Sequence, residues 1–348
     1  MTTLVDRRPA PTEGRVAWAD AILRGLGRLP PPLWLTLAAL VPVGILVIHA
    51  TMWAAGPLPV GEFDLFWASG AVFPVAFLAA IRIQRGVTLS ALDRFRPALS
   101  VDDEAFDRIA ADLTWQPPRS ALVGGIVMGL VGLVSLLSSP ELMAELEPYP
   151  AGLAAAAAFN VFSYAFAGPW IVGAYRLLRH VSEHHRKARR VDLFHPGPVH
   201  AFSQATATVS VTAMAIVTFS MLTDPAGTLG TPAGLALSLF IAVLAAACFF
   251  VPLWGMHRRL QAERERLLAD LGTRLQVTVE RLYRNVDGET GDSSAVDDNM
   301  SALLAARGHI ERMSTWPWQP ETPRWLISAL LVPLAIWSAT RFLERTGL

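Results

Sequence analysis

The chain has 348 residues, of which 53% are hydrophobic and 17% charged, and its 29 Lys and Arg balance 29 Asp and Glu. A soluble domain carries about 25% charged residues, so this composition, with a mean hydropathy of +0.39, describes a chain that turns apolar surface to lipid. The even spread of charge at zero net excludes a nucleic-acid partner, which needs a basic footprint, and a single cysteine, Cys248, excludes an intramolecular disulfide.

Ahead of the first apolar run, Trp18, Ile22, Leu26 and Leu29 fall at helical spacing with Asp20, Arg24 and Arg28 between them. This predicts an amphipathic helix on the inner interface of the membrane, ended by Pro30, Pro31 and Pro32. A bilayer core about 30 Å thick takes roughly 20 apolar helical residues. Seven stretches meet or approach that length: 33–55, 63–81, 121–139, 151–175, 201–222, 233–255 and 323–340. The first lacks a small-residue cleavage site and reads as a retained span rather than a signal peptide. Asp64, Arg82, Arg324 and Arg341 stand at the ends of the second and seventh spans, where charges reach the interface at modest cost.

Orientation follows from the basic residues, which accumulate in cytoplasmic loops. Segments 1–32, 82–120, 176–200 and 256–324 hold 27 of the 29 Lys and Arg, whereas the loops 56–62, 140–150 and 223–232 hold none and carry Glu62, Glu141, Glu145, Glu147 and Asp224. The expected fold is therefore all-α and polytopic, with seven transmembrane helices, the N-terminus inside and the C-terminus outside. It divides into a cytoplasmic N-terminal segment (1–32), spans one to six with their loops (33–255), a cytoplasmic helical region (256–322) and the seventh span with an outer C-terminus (323–348).

The inner segments are long enough to fold. Span four runs into the basic stretch Arg176 to Arg190 without Gly or Pro and stops at His195, Pro196, Gly197 and Pro198. Span six continues past Trp254, where Leu260, Leu267, Leu271, Leu275, Val279 and Leu282 form one apolar stripe that needs a partner. After an acidic loop, 287–298, a second helix carries Leu303, Ala306, Ile310 and Met313 on one face and ends before Pro317. Together these predict a cytoplasmic bundle of the extensions of spans four to six and this separate helix, packed within or between subunits, with Leu260, Leu267, Leu271, Leu275 and Leu282 as its assembly residues. A short echo joins the two halves: Thr114, Trp115, Gln116, Pro117 and Arg119 precede span three, and Trp318, Gln319, Pro320 and Arg324 precede span seven. It reads either as a matched elbow coupling a cytoplasmic helix to a span or, as favoured here, as interfacial Trp with Pro opening a helix.

No phosphate-binding loop, nucleophile elbow, Cys-x-x-Cys or His-Glu-x-x-His occurs, and no Ser or Cys nucleophile has an intramembrane His and carboxylate beside it, so no enzyme, cofactor or metal is expected. His180 and His184 share an i, i+4 spacing, but Arg179, Arg186, Lys187, Arg189 and Arg190 would repel a cation, and anionic lipid headgroups are the better ligand for this cluster. The central parts of the spans hold no Asp, Glu, Lys or Arg, which disfavours ion-coupled transport. His49, the one imidazole in a span, is expected to be a hydrogen-bonded structural residue. Gln204, Thr208 and Thr212 share a face of span five that reads either as the lining of a hydrated path or, preferentially, as interhelical glue. Asn160 and Tyr164 form another polar pair in span four, and Gly125, Gly129 and Gly132 make span three a packing face. Nothing specifies a small-molecule ligand.

An inside N-terminus, seven spans, an outside C-terminus, cytoplasmic extensions of spans four to six and a cytoplasmic helix leading into the last span together resemble the seven-transmembrane ion channels related to insect odorant and gustatory receptors. The resemblance covers the layout of 33–343. It implies a homo-oligomer anchored by its cytoplasmic helices around a cation pore lined by the last span, and position alone then makes Ser328, Leu331, Ala335 and Ser338 the lining residues. The leading expectation is a homo-oligomeric, cation-permeable channel of the plasma membrane, or of the inner membrane in a cell with two. The alternative is a non-conducting sensor or scaffold that binds a partner through its cytoplasmic helices.

Overall fold

The computed structural model describes residues 16–96, 99, 101–187, 196–223, 232–286, 288 and 293–318, together with Arg324, Ile327, Ser328, Leu331 and Ala335. Among these residues there is no strand, and eleven α-helices form: α1 (Trp18–Leu26), α2 (Leu33–Ala55), α3 (Leu65–Phe95), α4 (Asp103–Thr114), α5 (Pro118–Leu137), α6 (Pro140–Leu146), α7 (Pro150–Ala165), α8 (Ala167–Lys187), α9 (Pro196–Leu222), α10 (Pro232–Val286) and α11 (Ser293–Arg312). Local chemistry sets several of these boundaries. Asp64 and Asp102 cap α3 and α4, accepting the backbone N–H of Trp67 at 2.9 Å and of Ala105 at 2.7 Å. α5 and α7 open on Pro118 and Pro150, where a missing N–H costs nothing. α2 stops at Gly56, whose φ of +96° is strained for any residue with a side chain, and the Tyr149 ring lies 2.8 Å from where a Cβ would stand.

Two apolar cores mark the two ends of the bundle. One joins Ile48 and Met52 of α2, Trp67 of α3, Leu136 of α5, Leu146 of α6 and Ala156 of α7. The other joins Leu92 and Phe95 of α3, Phe106 of α4, Leu177 of α8, Phe202 of α9 and Leu253 of α10. The long helices therefore alternate in direction, as the alternation of acidic and basic loops predicts. Outside these cores, Leu122, Val123, Ile126, Leu130, Val131 and Val134 of α5 and Leu35, Val43, Leu46 and Val47 of α2 are exposed. Apolar faces of this length are stable against lipid rather than water. Among the described residues five stretches are long and apolar enough to cross a bilayer: Leu33–Ala55, Leu65–Phe95, Asp103–Leu137, Pro150–Val181 and Phe202–Ser220. The chain is an all-helical, multi-pass integral membrane protein.

The sixth predicted span forms the first part of α10, a helix of 55 residues that continues through Pro252. At 1.5 Å per residue it is about 80 Å long, more than twice the thickness of a bilayer core. Of the seventh predicted span, Arg324, Ile327, Ser328, Leu331 and Ala335 are helical and exposed, and the rest, Ser338 included, lies outside the described residues.

Three features differ from the sequence expectation. α3 does not stop at 81 but runs to Phe95, because Leu89, Leu92 and Phe95 extend an apolar stripe that α4, α8 and α9 cover. The extension of span two thereby joins the folded region, a part assigned above to spans four to six. Span four is broken at Phe166 into α7 and α8, since Pro169 has no N–H for the Ala165 carbonyl. At that break α5 comes close: a Cβ on Gly168 would stand inside van der Waals contact with the backbone of Gly124, one on Gly129 would lie 3.2 Å from Val161 Cγ1, and one on Gly132 would lie 2.8 Å from Tyr164. This is the glycine packing face expected of span three. Finally, α1 is not merely laid on the interface: Ala19, Asp20 and Leu23 are buried, and Trp18 packs edge-on against Phe166 at 4.9 Å.

Beyond Met256, α10 pairs with α11. Met256 and Leu260 are buried with Leu267 and Met313 against them, Leu275 and Ile310 are buried, and Leu271 and Leu282 are half-buried. The stripe that needed a partner has one in the same chain.

Candidate functional site

The polar chemistry concentrates where α3 leaves its apolar stretch. Gln84, Arg85 and Thr88 occupy adjacent positions on one side of α3 and are buried, with Arg85 7% exposed. A buried guanidinium is tolerated only when it is paired and its N–H groups are used. Arg85 Nη2 pairs with Oδ1 of Asp20 on α1, itself 1% exposed, and Arg85 Nε donates to the Thr114 carbonyl at 3.2 Å. The guanidinium also lies 4.3 Å over the ring of Trp115, whose other cation neighbour is Arg24, at 5.7 Å. One side chain thus ties α1, α3 and the joint between α4 and α5. The second carboxylate oxygen of Asp20, Oδ2, is buried without a hydrogen-bond partner.

Beside this pair is a cavity of about 20 Å³, lined by Gln84, Arg85, Thr88, Trp115, Gln116 and Arg176 among others. It has room for about one water. Gly173 of α8 makes that room: a Cβ there would lie 2.6 Å from Gln116 Nε2 and 3.8 Å from Gln84 Nε2. Gln116 Oε1 is buried without a partner. On the far wall, Arg176 Nη2 donates to the Asp112 carbonyl at 2.9 Å and to its carboxylate at 3.2 Å, and His180 lies 3.8 Å from the same carboxylate.

These contacts solve a problem that α4 cannot solve alone. The last carbonyls of a helix lack intrahelical donors and carry its negative end, and α4 has no basic residue in its last turn. Arg176 and Arg85, from two other helices, donate to the carbonyls of Asp112 and Thr114. α11 ends in the same way: Arg264 Nη2 of α10 donates to the Glu311 carbonyl at 2.7 Å, and the His257 ring lies 3.0 Å from the Thr315 carbonyl through Nδ1 and stacks on Trp316 at 3.8 Å.

The residues singled out from sequence fall elsewhere. Gln204 accepts from Arg94 Nη2 at 2.6 Å, Thr208 donates back to the Gln204 carbonyl at 2.8 Å, and Thr212 is half-buried. On another side of the same helix, Ser210 donates across to the Ala245 carbonyl of α10 at 2.7 Å, a polar tie between two helices. Asn160 and Tyr164 are half-buried at the contact of α7 with α5, around Gly132. His49 is structural: Asp64 N–H donates to Nε2 at 3.1 Å, which leaves Nδ1 to carry the proton and donate to the Ile45 carbonyl at 2.9 Å, while the Phe63 ring stacks on it at 5.0 Å. The described residues of the last segment, Ser328, Leu331 and Ala335, are exposed.

Sequence reasoning missed Asp20, Gln84 and Arg85 as site residues. The signal was present: Ile81, Thr88, Leu89, Leu92 and Phe95 prolong the helical period of span two past Arg82. An arginine inside such a period asks for a buried partner. No family model, curated protein or solved structure matches the chain.

Proposed function

We propose that this integral membrane protein is a non-conducting sensor or scaffold of the plasma membrane, or of the inner membrane in a cell with two, that offers its cytoplasmic helices to a partner and performs no catalysis. The observation that carries this reading is the α10–α11 hairpin. Its apolar stripe is used inside the chain, so the hairpin is a finished structural unit rather than half of a subunit seam, and it stands on a helix about 80 Å long that begins within the bundle. Lys and Arg concentrate at the end of the bundle from which it projects, which supports a cytoplasmic position for that end. The outer face of the hairpin presents Val277, Tyr283 and Leu304, all exposed. The test is affinity capture of the full chain from native membranes beside a variant with Val277→Asp, Tyr283→Asp and Leu304→Asp. A protein retained by the first and lost by the second is expected, and identical recovery by both refutes the reading.

The channel reading, to which the resemblance of the expected layout to the odorant-receptor-related channels leads, rests on a different observation. Ser328, Leu331 and Ala335 fall at helical spacing and face away from the rest of their own chain, with Leu331 55% exposed. A homo-oligomer would cover that face and line a cation path with it and with Ser338. Native mass spectrometry and a cation-flux assay in liposomes decide between the two: a defined oligomer that conducts favours the channel, and a monomer without flux leaves the sensor or scaffold.

A further inference from the structure

We propose that the cavity beside Arg85 is a binding site for a phosphate-type oxyanion, and that the oxyanion takes Arg85 from Asp20 and thereby releases α1 from the bundle. This inference does not depend on what the hairpin binds.

The pair is built to be exchanged. Asp20 engages Arg85 through one oxygen and leaves Oδ2 buried without a partner, so the carboxylate is only half satisfied in its seat. A guanidinium fork matches phosphate as well as carboxylate, and phosphate brings more oxygens and more charge to it. The surroundings favour that charge. Arg176 lines the same cavity, so two guanidiniums and no carboxylate stand among its lining residues, and Arg24 lies 5.7 Å from the ring of Trp115, one of its walls. The amides of Gln84 and Gln116, held open over Gly173, supply uncharged donors.

Volume couples binding to release. With Asp20 in place the cavity holds about one water, so an oxyanion with four oxygens enters only if a wall moves, and the wall that Arg85 forms is the one it draws away from Asp20. α1 is short, nine residues, and among the described residues its other polar ties are a 3.3 Å hydrogen bond from Trp18 Nε1 to the Ala121 carbonyl and the contact of Arg24 with the Trp115 ring. Loss of the ion pair leaves it held mainly by Trp18, Ala19 and Leu23. The oxyanion has two possible sources, the headgroup of an anionic phospholipid and free phosphate.

The test is hydrogen exchange at the α1 amides of the full chain in nanodiscs. Three conditions are compared at matched ionic strength: phosphatidylcholine with chloride, phosphatidylcholine with inorganic phosphate, and phosphatidylcholine mixed with phosphatidic acid. We expect α1 exchange to rise about tenfold or more in at least one of the last two, while α5 stays protected. A rise with phosphatidic acid alone assigns a lipid headgroup, and a rise with inorganic phosphate assigns the free ion. Arg176→Gln, which leaves the Asp20 pair intact, is expected to blunt the response, and Arg85→Lys, which keeps the charge but loses the fork, to abolish it. No rise in either condition, or an equal rise in both variants, overturns the proposal.

Discussion

Truncating Asp20 tests whether the buried pair, rather than apolar packing alone, fixes α1 to the bundle. In Asp20→Ala the Arg85 guanidinium keeps the Thr114 carbonyl and the Trp115 ring but loses its counter-charge in a site where it is 7% exposed. Removing one partner of a buried pair costs about 3–5 kcal/mol, because the survivor is left buried and uncompensated. The Trp115 face already covers the guanidinium in the wild type and so returns none of that, and a net loss of about 3–5 kcal/mol is expected. The same reasoning gives the control. Replacing both members with apolar residues of similar volume, Asp20→Leu with Arg85→Met, removes the charge and its desolvation together and is expected to cost less than about 1 kcal/mol. Reversible unfolding in mixed micelles, followed by far-ultraviolet circular dichroism for wild type and both variants, measures the difference. A double variant no more stable than Asp20→Ala would refute the argument, since it would show that the loss comes from packing and not from an orphaned charge.

Four further outcomes follow from the same structure. Gly168→Ala sets a methyl against the backbone of Gly124, which cannot rotate away, and is expected to cost about 1–3 kcal/mol or to part α5 from α8, read by unfolding and by cysteine cross-linking of the two helices. His49→Ala leaves the Asp64 N–H without its acceptor and is expected to cost about 1–3 kcal/mol, most of which His49→Gln recovers if its amide oxygen takes that N–H. On α6, partial burial, reinforced by the Asp64 carboxylate, holds the Glu145 carboxyl above its ordinary range. The folded chain therefore binds this proton more tightly than the unfolded chain, and its contribution to stability falls as pH rises through the carboxylate range. Glu145→Gln should accordingly be the more stable form at neutral pH, with the gain vanishing in acid. Replacing Leu267, Leu271 and Leu275 with Ser is expected to deprotect α11 in hydrogen exchange without changing the subunit count in native mass spectrometry, because their partner belongs to the same chain.

Composition alone made the membrane class legible, and the alternation of basic and acidic loops matches the alternating helix directions. Gly125, Gly129 and Gly132 announced the α5 packing face, because close approach of membrane helices has few other solutions. The apolar period of Leu260 to Leu282 and of Leu303 to Met313 announced the hairpin, though not that its two halves would meet in one chain, since a stripe specifies that a partner exists and not where it comes from. The site itself was hidden for two reasons. Hydropathy ends a span at its first charge, so Arg82 closed span two at 81 and placed Arg85 in a loop, although the helical period continued. Its counter-ion lies 65 residues away on a helix whose polar residues read as the wet side of an interfacial amphipath. From sequence Asp20 reads only as a polar position of that helix, because amphipathicity separates apolar from polar and cannot separate a hydrated carboxylate from one that is paired and buried.

The echo at Trp115 and Trp318 acquires physical content from its contacts. Trp115 takes Arg85 and Arg24 on its ring, whereas Trp318 stacks on Trp316 at 4.4 Å and meets Phe249 and Phe250 at 5.3 and 5.6 Å. The neighbours differ, so the two tryptophans do not share a binding chemistry. What they share is position: each follows a helix lying outside the predicted spans, α4 or α11, and packs on a long helix, α3 or α10, near where that helix leaves its apolar stretch. At each joint an arginine of the long helix also takes a carbonyl at the end of the shorter one, Arg85 for Thr114 and Arg264 for Glu311. Satisfying the orphan carbonyls of a helix end from a neighbouring helix fixes both position and direction, because the donor must meet the negative end of the dipole. A tryptophan fitted only to the membrane interface would need no such arginine. The contacts therefore favour the elbow over the interfacial reading preferred from sequence, and one comparison tests it: Trp115→Leu, which keeps apolar bulk and loses the cation-binding face, should loosen α1 and α4 together in hydrogen exchange.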